Sequence, residues 1–541
     1  MFTNSVSKCL ALFCLICAEP SFAQNTDGVV SSAHPVATAA GMKMLRNGGN
    51  AFDAAIAVAA TLNVVEPMMS GIGGYGTILI YDAKKKQIRF LNCSGKIPLN
   101  TNSDLMRPPT VDYEANRHGA KSVSTPGNLH AWEAMHQLYG SVKWNNLFTD
   151  AINIADTGFA INSLIARGLT FLFNSFSDYT KAFYGKNGKP LTLGEKLIQK
   201  DLAATFKQIA TEGVNVFYKG SIANSIDKKM HDMGGFLRLV DLENDKAEWW
   251  DPVKYSYKGY DVYTASPPSN AFAGLVALGL MDQFHNSHLR ANSPEYLHIL
   301  AEVCKRSYAS RLKYSGDPDL QKVPIDSILS GAFLAREARN IDTTKATAFT
   351  SLMAGVAGKH TTHFVVMDKW GNIVSATQTL GEFFGSAIMP EGTGIWLNNS
   401  LAYCTYEPKG NPMDAFPGHH KLSGDCPVII MKDNLPWAAL GTPGGHTITQ
   451  NVPQIIFNMI DFNMNLQQAI DAPKIAFQEP NDLGVEAGIP QVIQDGLKKK
   501  GHRVVSDDIK IGNAHGIRIT RNEKGNITKV EVASDKRWSF K

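Results

Sequence analysis

Thr361-Thr362-His363-Phe364-Val365-Val366-Met367-Asp368 is followed by Lys369-Trp370-Gly371-Asn372 and then by Ile373-Val374-Ser375-Ala376-Thr377-Gln378-Thr379. Two runs rich in β-branched residues flank a turn, which predicts an antiparallel strand pair. Pairing Asp368 with Ile373 across the turn sets Thr379 opposite Thr362, within about one residue of Thr361. Upstream, residues 340–360 turn bland: small residues, Thr and Gly, few charges, as in a linker or processing segment. Thr361 therefore stands where a processing segment meets a strand. A threonine hydroxyl is a weak nucleophile unless a base lies beside it. If Thr361 becomes the first residue of a chain, its own α-amine, pKa ~7.7–8.0, can take the proton. That chemistry requires a cut between His360 and Thr361. The plainer reading is two β-favouring threonines at a strand start.

Working outward, Trp437 to Leu440 reads as a strand, followed by Gly441-Thr442-Pro443-Gly444-Gly445 and a helix over Thr447 to Ile460 that tolerates Pro453. Two glycine N–H groups near a helix start suit an oxyanion hole, so Gly444 and Gly445 join Thr361 and Thr379 as candidates. Asp53 to Val65 is an Ala-rich buried helix after the turn Asn47-Gly48-Gly49-Asn50. Strands follow at Thr77 to Asp82 and Gln87 to Asn92, joined by Ala83-Lys84-Lys85-Lys86. The region from Ala131 to about Lys313 reads as mostly helical, with an extended stretch at Val253 to Thr264. Gly71-Ile72-Gly73-Gly74-Tyr75-Gly76 fits a dinucleotide fingerprint literally, but a helix precedes it and a strand follows, the reverse of what that site needs. Close backbone packing explains the glycines better. His360 and His363 have no carboxylate cluster and His419-His420 sits in a Pro/Gly loop, expected to be solvent-exposed; neither pair predicts a metal site. No cofactor is expected.

The 541 residues exceed one small core; at ~150 residues per domain they allow three or four domains, or one large layered fold. Hydrophobic residues at 44% and charged residues at 19% exclude disorder or coiled coil as the main architecture. The net charge of +4, with no long basic run, argues against a nucleic-acid partner. Lys8 precedes an apolar stretch, Cys9 to Ala18, and Ser21-Phe22-Ala23 offers small residues at the cleavage positions. Residues 1–23 thus read as a secretory signal, too short to span a membrane, and Ile16 before Cys17 argues against a lipoprotein. Export across the inner membrane, to a periplasmic or extracellular location, follows. Cys93, Cys304, Cys404 and Cys426 remain; they form no CxxC pair, and whether Cys404 and Cys426 join is open.

These residues resemble the γ-glutamyltransferase (glutathione hydrolase proenzyme) family. The likeness includes Ser32-Ala33-His34-Pro35, Asn47-Gly48-Gly49-Asn50-Ala51-Phe52-Asp53, Val65-Glu66-Pro67, Thr125-Pro126-Gly127, Pro267-Pro268-Ser269 and Gly316-Asp317-Pro318. It is densest at Thr361-Thr362-His363, Asp368-Lys369-Trp370-Gly371-Asn372, Thr377-Gln378-Thr379-Leu380, Gly394-Ile395-Trp396-Leu397-Asn398-Asn399 and Pro443-Gly444-Gly445. The resemblance implies an α+β N-terminal-nucleophile hydrolase, a four-layer αββα sandwich made of two autocleaved chains. It implies a large subunit of 24–360 and a small subunit of 361–541. It makes Thr361 the nucleophile, Thr379 its orienting partner, and Gly444 and Gly445 the oxyanion hole. The partners implied are a small amide or peptide substrate and a water or amine acceptor.

The departures fall in the donor pocket. The family's D-x-R-E-x-x-P segment holds the donor α-carboxylate with its arginine; here Asn92-Cys93-Ser94-Gly95-Lys96-Ile97-Pro98 puts Ser94 in that place. Lys96, two residues on and so on the same strand face, is the candidate substitute cation. The segment that holds the α-amine, N-N-Q/E-M-D-D-F, is here Asn398-Asn399-Ser400-Leu401-Ala402-Tyr403-Cys404, with Ser400 and Tyr403 in place of amide and acid. The Asn two residues after the orienting Thr is Gly381, and the Ser-Ser pair is Ser423-Gly424. No acid then faces the donor, so γ-glutamyl and glutaryl amides should be poorly distinguished. The candidate substrate-binding residues are Ser94, Lys96, Ser400, Tyr403, Ser423 and Gly424. The expected activity is a self-processing acyltransferase or amidohydrolase acting on γ-glutamyl or related acyl amides. The alternatives are a glutaryl- or cephalosporin-acylase-like amidase and a catalytically dead binding protein.

Overall fold

The computed structural model describes residues 27–284, 289–350, 360–507 and 509–538. The expected leader lies outside these residues, as do positions 351–359 of the bland segment. Twelve of the described strands build two sheets: β1 (Gly28–Ser32), β2 (Tyr75–Asp82), β3 (Gln87–Cys93), β4 (Glu248–Trp250), β5 (Val253–Tyr257), β6 (Tyr260–Thr264), β7 (His360–Asp368), β8 (Ile373–Gly381), β9 (Val428–Lys432), β10 (Leu435–Gly441), β11 (His515–Arg521) and β12 (Ile527–Ser534). The first sheet has the order β1-β7-β8-β2-β3-β4, the second β12-β11-β10-β9-β6-β5. All their pairings are antiparallel.

The two sheets lie face to face. Ser31 of β1 donates to the Ala533 carbonyl of β12 at 2.7 Å. Gly441 of β10 lies against the His363 ring of β7, where a Cβ would come within 2.4 Å of the ring, so only glycine lets the sheets approach there. The outer face of the first sheet is covered by α1 (Pro35–Arg46) and α2 (Ala51–Val65). Every residue of α2 is buried; a helix apolar on all sides must be. Asn50 caps it, accepting from the N–H groups of Phe52 and Asp53, while Asp53 accepts from the Asn50 N–H. The second sheet is covered by α3 (Phe272–Asp282), α4 (Pro294–Tyr314) and α5 (Ile448–Ile460), with Pro453 inside α5 as the sequence suggested. The layers run helix, sheet, sheet, helix: the αββα sandwich. No helix among the described residues is long and apolar enough to cross a membrane.

The structure corrects one sequence expectation, adds three strands and closes an open point. The central hairpin pairs Met367 with Ile373, one residue off the expected register. Asp368, the last residue of β7, ties the turn: its carboxylate accepts from the N–H groups of Trp370 and Asn372 and from the Asn372 amide. Its second oxygen also accepts from the Ala51 N–H, tying the hairpin to α2. Strands β9, β11 and β12 went unrecognised, though they complete the second sheet. Finally, Cys404 and Cys426 are both free and buried, as are Cys93 and Cys304.

Candidate active site

Thr361 is the second residue of β7 and is buried. A bulge shapes this end of the hairpin. His360 pairs with Gly381 and Thr362 with Gln378, so Thr379 and Leu380 together face the single Thr361. A bulge re-aims side chains and bends the strand, and here it brings two hydroxyls together. The Thr361 hydroxyl donates to Thr379 Oγ1 at 3.2 Å. Thr379 Oγ1 accepts from the Gly381 N–H at 2.8 Å and donates to the His360 carbonyl at 2.7 Å. One side chain therefore holds both the candidate nucleophile and the carbonyl of the bond before it. Alternation along β7 sends Thr362 the other way, where its hydroxyl donates to Glu66 at 3.1 Å. Glu66 is buried at the end of α2, and that burial raises its carboxyl to about 7.

Gly444 (φ 141°) and Gly445 (φ 59°) both take backbone conformations that favour glycine. They join β10 to a single 3-10 turn, Gly445–Thr447, that leads into α5. No backbone carbonyl takes either N–H. Two chambers meet at Thr361. The outer one, about 500 Å³, is lined by Glu66, Arg167, Tyr308, Gly444, Glu479 and Lys510 among others. The inner one, about 60 Å³, is lined by Tyr75, Thr379, Gly381, Lys421, Ser423, Gly424, Asp425 and Gly445 among others. Thr361, Arg311, Tyr403 and His446 line both.

The structure thus gathers Thr361, Thr379, Gly444, Gly445, Tyr403, Ser423 and Gly424 at one place. It does not bring Ser94, Lys96 or Ser400 to either chamber. Strand β3 ends at Cys93 and Gly95 turns the chain with φ 69°, so the two-residue alternation does not carry from Ser94 to Lys96. Lys96 instead bridges to His420. Ser400 is buried, and its hydroxyl donates to Ser124 at 2.5 Å.

The loop 418–425 carries what sequence reasoning missed. His420, expected to be exposed, is buried between carboxylates: Asp317 at 3.1 Å from Nδ1 and Glu248 at 2.9 Å from Nε2. Burial alone would lower its pKa, but the two carboxylates outweigh it and lift the imidazole to about 9. The next residue, Lys421, is 3% exposed, with Nζ 4.6 Å from the Tyr75 ring centre and 5.7 Å from that of Tyr403. It forms no ion pair, and burial lowers its pKa to about 8. Asp425, 4% exposed, lines the same chamber; its Oδ2 has no hydrogen-bond partner, and burial raises its carboxyl to about 6. Arg311, from α4, has a buried Nε without a partner. An acid does line the inner chamber: Asp425, from a loop the departures did not point to. A lysine and an aspartate flanking Ser423-Gly424 were the available signal.

Two facing sheets between helix layers, with a threonine near the start of an inner strand beside two open glycine N–H groups, define the N-terminal-nucleophile hydrolase class. Comparison narrows the class. The family model described as gamma-glutamyltranspeptidase matches residues 37–539. A glutathione hydrolase proenzyme of Bacillus subtilis (strain 168) is 34% identical over 531 residues, covering 94% of this chain and 90% of the relative. An acylase ACY 1 proenzyme of Pseudomonas sp. (strain SE83) is 31% identical, covering 94% and 92%. The crystal structure of cephalosporin acylase from Bacillus halodurans superposes with a TM-score of 0.87 at 26% identity, covering 94% of both chains. The chain belongs to the γ-glutamyltranspeptidase family and is an enzyme of that family.

Proposed function

We propose that this chain is an exported proenzyme that cuts itself between His360 and Thr361 and then transfers acyl groups from amide donors through Thr361. The observation that carries the reading is the hydroxyl pair: Thr361 bonds Thr379, and Thr379 bonds the His360 carbonyl. In the uncut chain Thr361 Oγ1 adds to the His360 carbonyl carbon, whose oxygen Thr379 polarises. The carbon–nitrogen bond breaks as the nitrogen takes a proton, and an ester forms. Water hydrolyses the ester, leaving a carboxylate on His360 and a free amine and hydroxyl on Thr361. The products are a large subunit of residues 24–360 and a small subunit of 361–541.

In turnover the new amine takes the hydroxyl proton as Oγ1 attacks the donor amide. The Gly444 and Gly445 N–H groups receive the developing oxyanion, and glycine allows the close approach. The leaving amine departs with a proton from the Thr361 ammonium, and water or an acceptor amine resolves the acyl-enzyme. The donor is a γ-glutamyl or related acyl amide. An acylase with a non-glutamyl donor is the second reading, favoured by Ser94 and by the Tyr75 and Tyr403 rings that line the small inner chamber. The test is release of aniline from acyl anilides by the purified, two-chain protein and its loss in Thr361→Ala. Turnover that survives this substitution overturns the reading.

A further inference from the structure

The inner chamber holds a buried ammonium and a buried carboxyl that do not touch. Lys421 and Asp425 lie on one loop and feel each other electrostatically, yet no nitrogen–oxygen distance between them falls within 4.0 Å. A buried charge without a partner is costly, and proteins seldom keep two unless a ligand completes them. The loop cannot simply collapse to pair them. His420 is held by Asp317 and Glu248, and the Ser423 carbonyl accepts from the Asn270 N–H at 2.6 Å. Lys421 is steadied by the two tyrosine rings, which accept a cation face-on but give it no counter-charge.

Resting on the amidohydrolase reading above, we propose that Lys421 and Asp425 form a two-charge recognition site for the acyl donor, taking a donor head that carries one carboxylate and one ammonium. The carboxylate neutralises Lys421, with Arg311 at the mouth adding a second positive charge, and the ammonium supplies the partner that Asp425 Oδ2 lacks. The head then fills the inner chamber, while the amide carbonyl reaches Thr361 and the leaving group occupies the outer one. Other charged groups facing the chamber are few. Arg311 and His446 line it, and Glu382 acts on Tyr75 and Tyr403 from nearby. A donor with only a carboxylate leaves Asp425 stranded; one with only an ammonium leaves Lys421 stranded. A site with a stranded buried group rejects its ligand strongly.

The test uses the matured enzyme and three anilides that differ only in the head: γ-glutamyl with both charges, glutaryl with the carboxylate alone, and 4-aminobutyryl with the ammonium alone. The wild type should prefer γ-glutamyl over each of the others by about a hundredfold or more in kcat/KM. Asp425→Asn should bring γ-glutamyl down and, with no carboxylate left stranded, raise glutaryl, so that the two converge. Lys421→Met should depress γ-glutamyl and glutaryl together and, with no ammonium left stranded, raise 4-aminobutyryl. Free glutamate, glutarate and 4-aminobutyrate as competitive inhibitors of the wild type give the same ranking without any variant, so a variant that fails to mature leaves the claim testable. A wild type that turns over γ-glutamyl and glutaryl equally well, or an Asp425→Asn that depresses both equally, overturns the two-charge site. Failure of the underlying reading looks different: an unprocessed chain that turns over none of the three.

Discussion

The hairpin that carries Thr361 and the loop that carries Lys421 line one small chamber, yet they relate to the sequence in opposite ways. The hairpin is regular: two strands buried along nearly their whole length, a turn tied by Asp368, and a bulge that brings two hydroxyls within 3.2 Å. The loop has no period. Its geometry comes from Glu248, Asp317 and Asn270, all more than a hundred positions away in the chain. The reacting groups thus rest on a frame that many residues over-determine, whereas donor selection rests on a few loop contacts. A family can keep the first and rewrite the second. By resemblance, Ser94 stands where the family has arginine and Tyr403 where it has the amine-holding acid; in the proposed donor site Lys421 and Asp425 put charge back from another direction.

That contrast can be broken at several points. Thr361→Ala should abolish both self-cleavage and turnover, with a loss of at least about 10⁴-fold, since one hydroxyl serves both reactions. Thr361→Ser should keep some of each; a denaturing gel and an anilide assay read both. Gly444→Ala adds a Cβ 2.8 Å from Thr447 Oγ1 at a φ of 141°, distorting a candidate oxyanion donor. It should cut kcat by roughly 10- to 100-fold with KM little changed, measured on protein that has matured. Thr379→Ala removes one orienting hydrogen bond, worth about 1–2 kcal/mol, so turnover should drop roughly 10-fold or more. Maturation should slow as well, because the His360 carbonyl loses its donor; Thr379→Ser should restore much of both.

The smallest effect falls on the loop. The folded His420 titrates near 9 against an ordinary 6.5. A raised pKa stabilises the fold fully below 6.5, and that contribution fades as pH rises through about 9; with its partners it is on the order of 2 kcal/mol. Wild-type Tm should therefore decline from pH 6.5 to above 9, whereas His420→Gln, already without the charge, should start lower and stay flatter. Parallel Tm curves for the two proteins would show that His420 carries no charge in the fold.

The same contrast explains what could be read from the chain alone. Periodicity and turn chemistry gave the Thr361 hairpin, helix α2 and the glycine turn after β10 to within a few residues. The register missed by one because Asp368 closes on Asn372 rather than on Ile373: its N–H donates to the Asn372 carbonyl at 3.1 Å and its carboxylate ties the tighter turn between them. Strand β12 is hard to read because its apolar and polar residues do not sort by face: Val532 is exposed while Ala533 is buried. Lys96 misled for a physical reason: strand logic was extended two residues past the strand's end at Cys93. For Lys421 and Asp425 the one signal was their place on either side of Ser423-Gly424; for His420 there was none, since no local pattern tells which loop side chains turn inward.

The central claim is that Thr361 becomes a chain terminus and acts from there. Intact-mass measurement and N-terminal sequencing of the purified, active protein test it most directly. The account predicts two chains, the smaller beginning at Thr361 and running to Lys541, and in Thr361→Ala a single inactive chain. A wild-type protein that remains one uncut chain while hydrolysing amide donors, or a small chain that begins at any other residue, would contradict it.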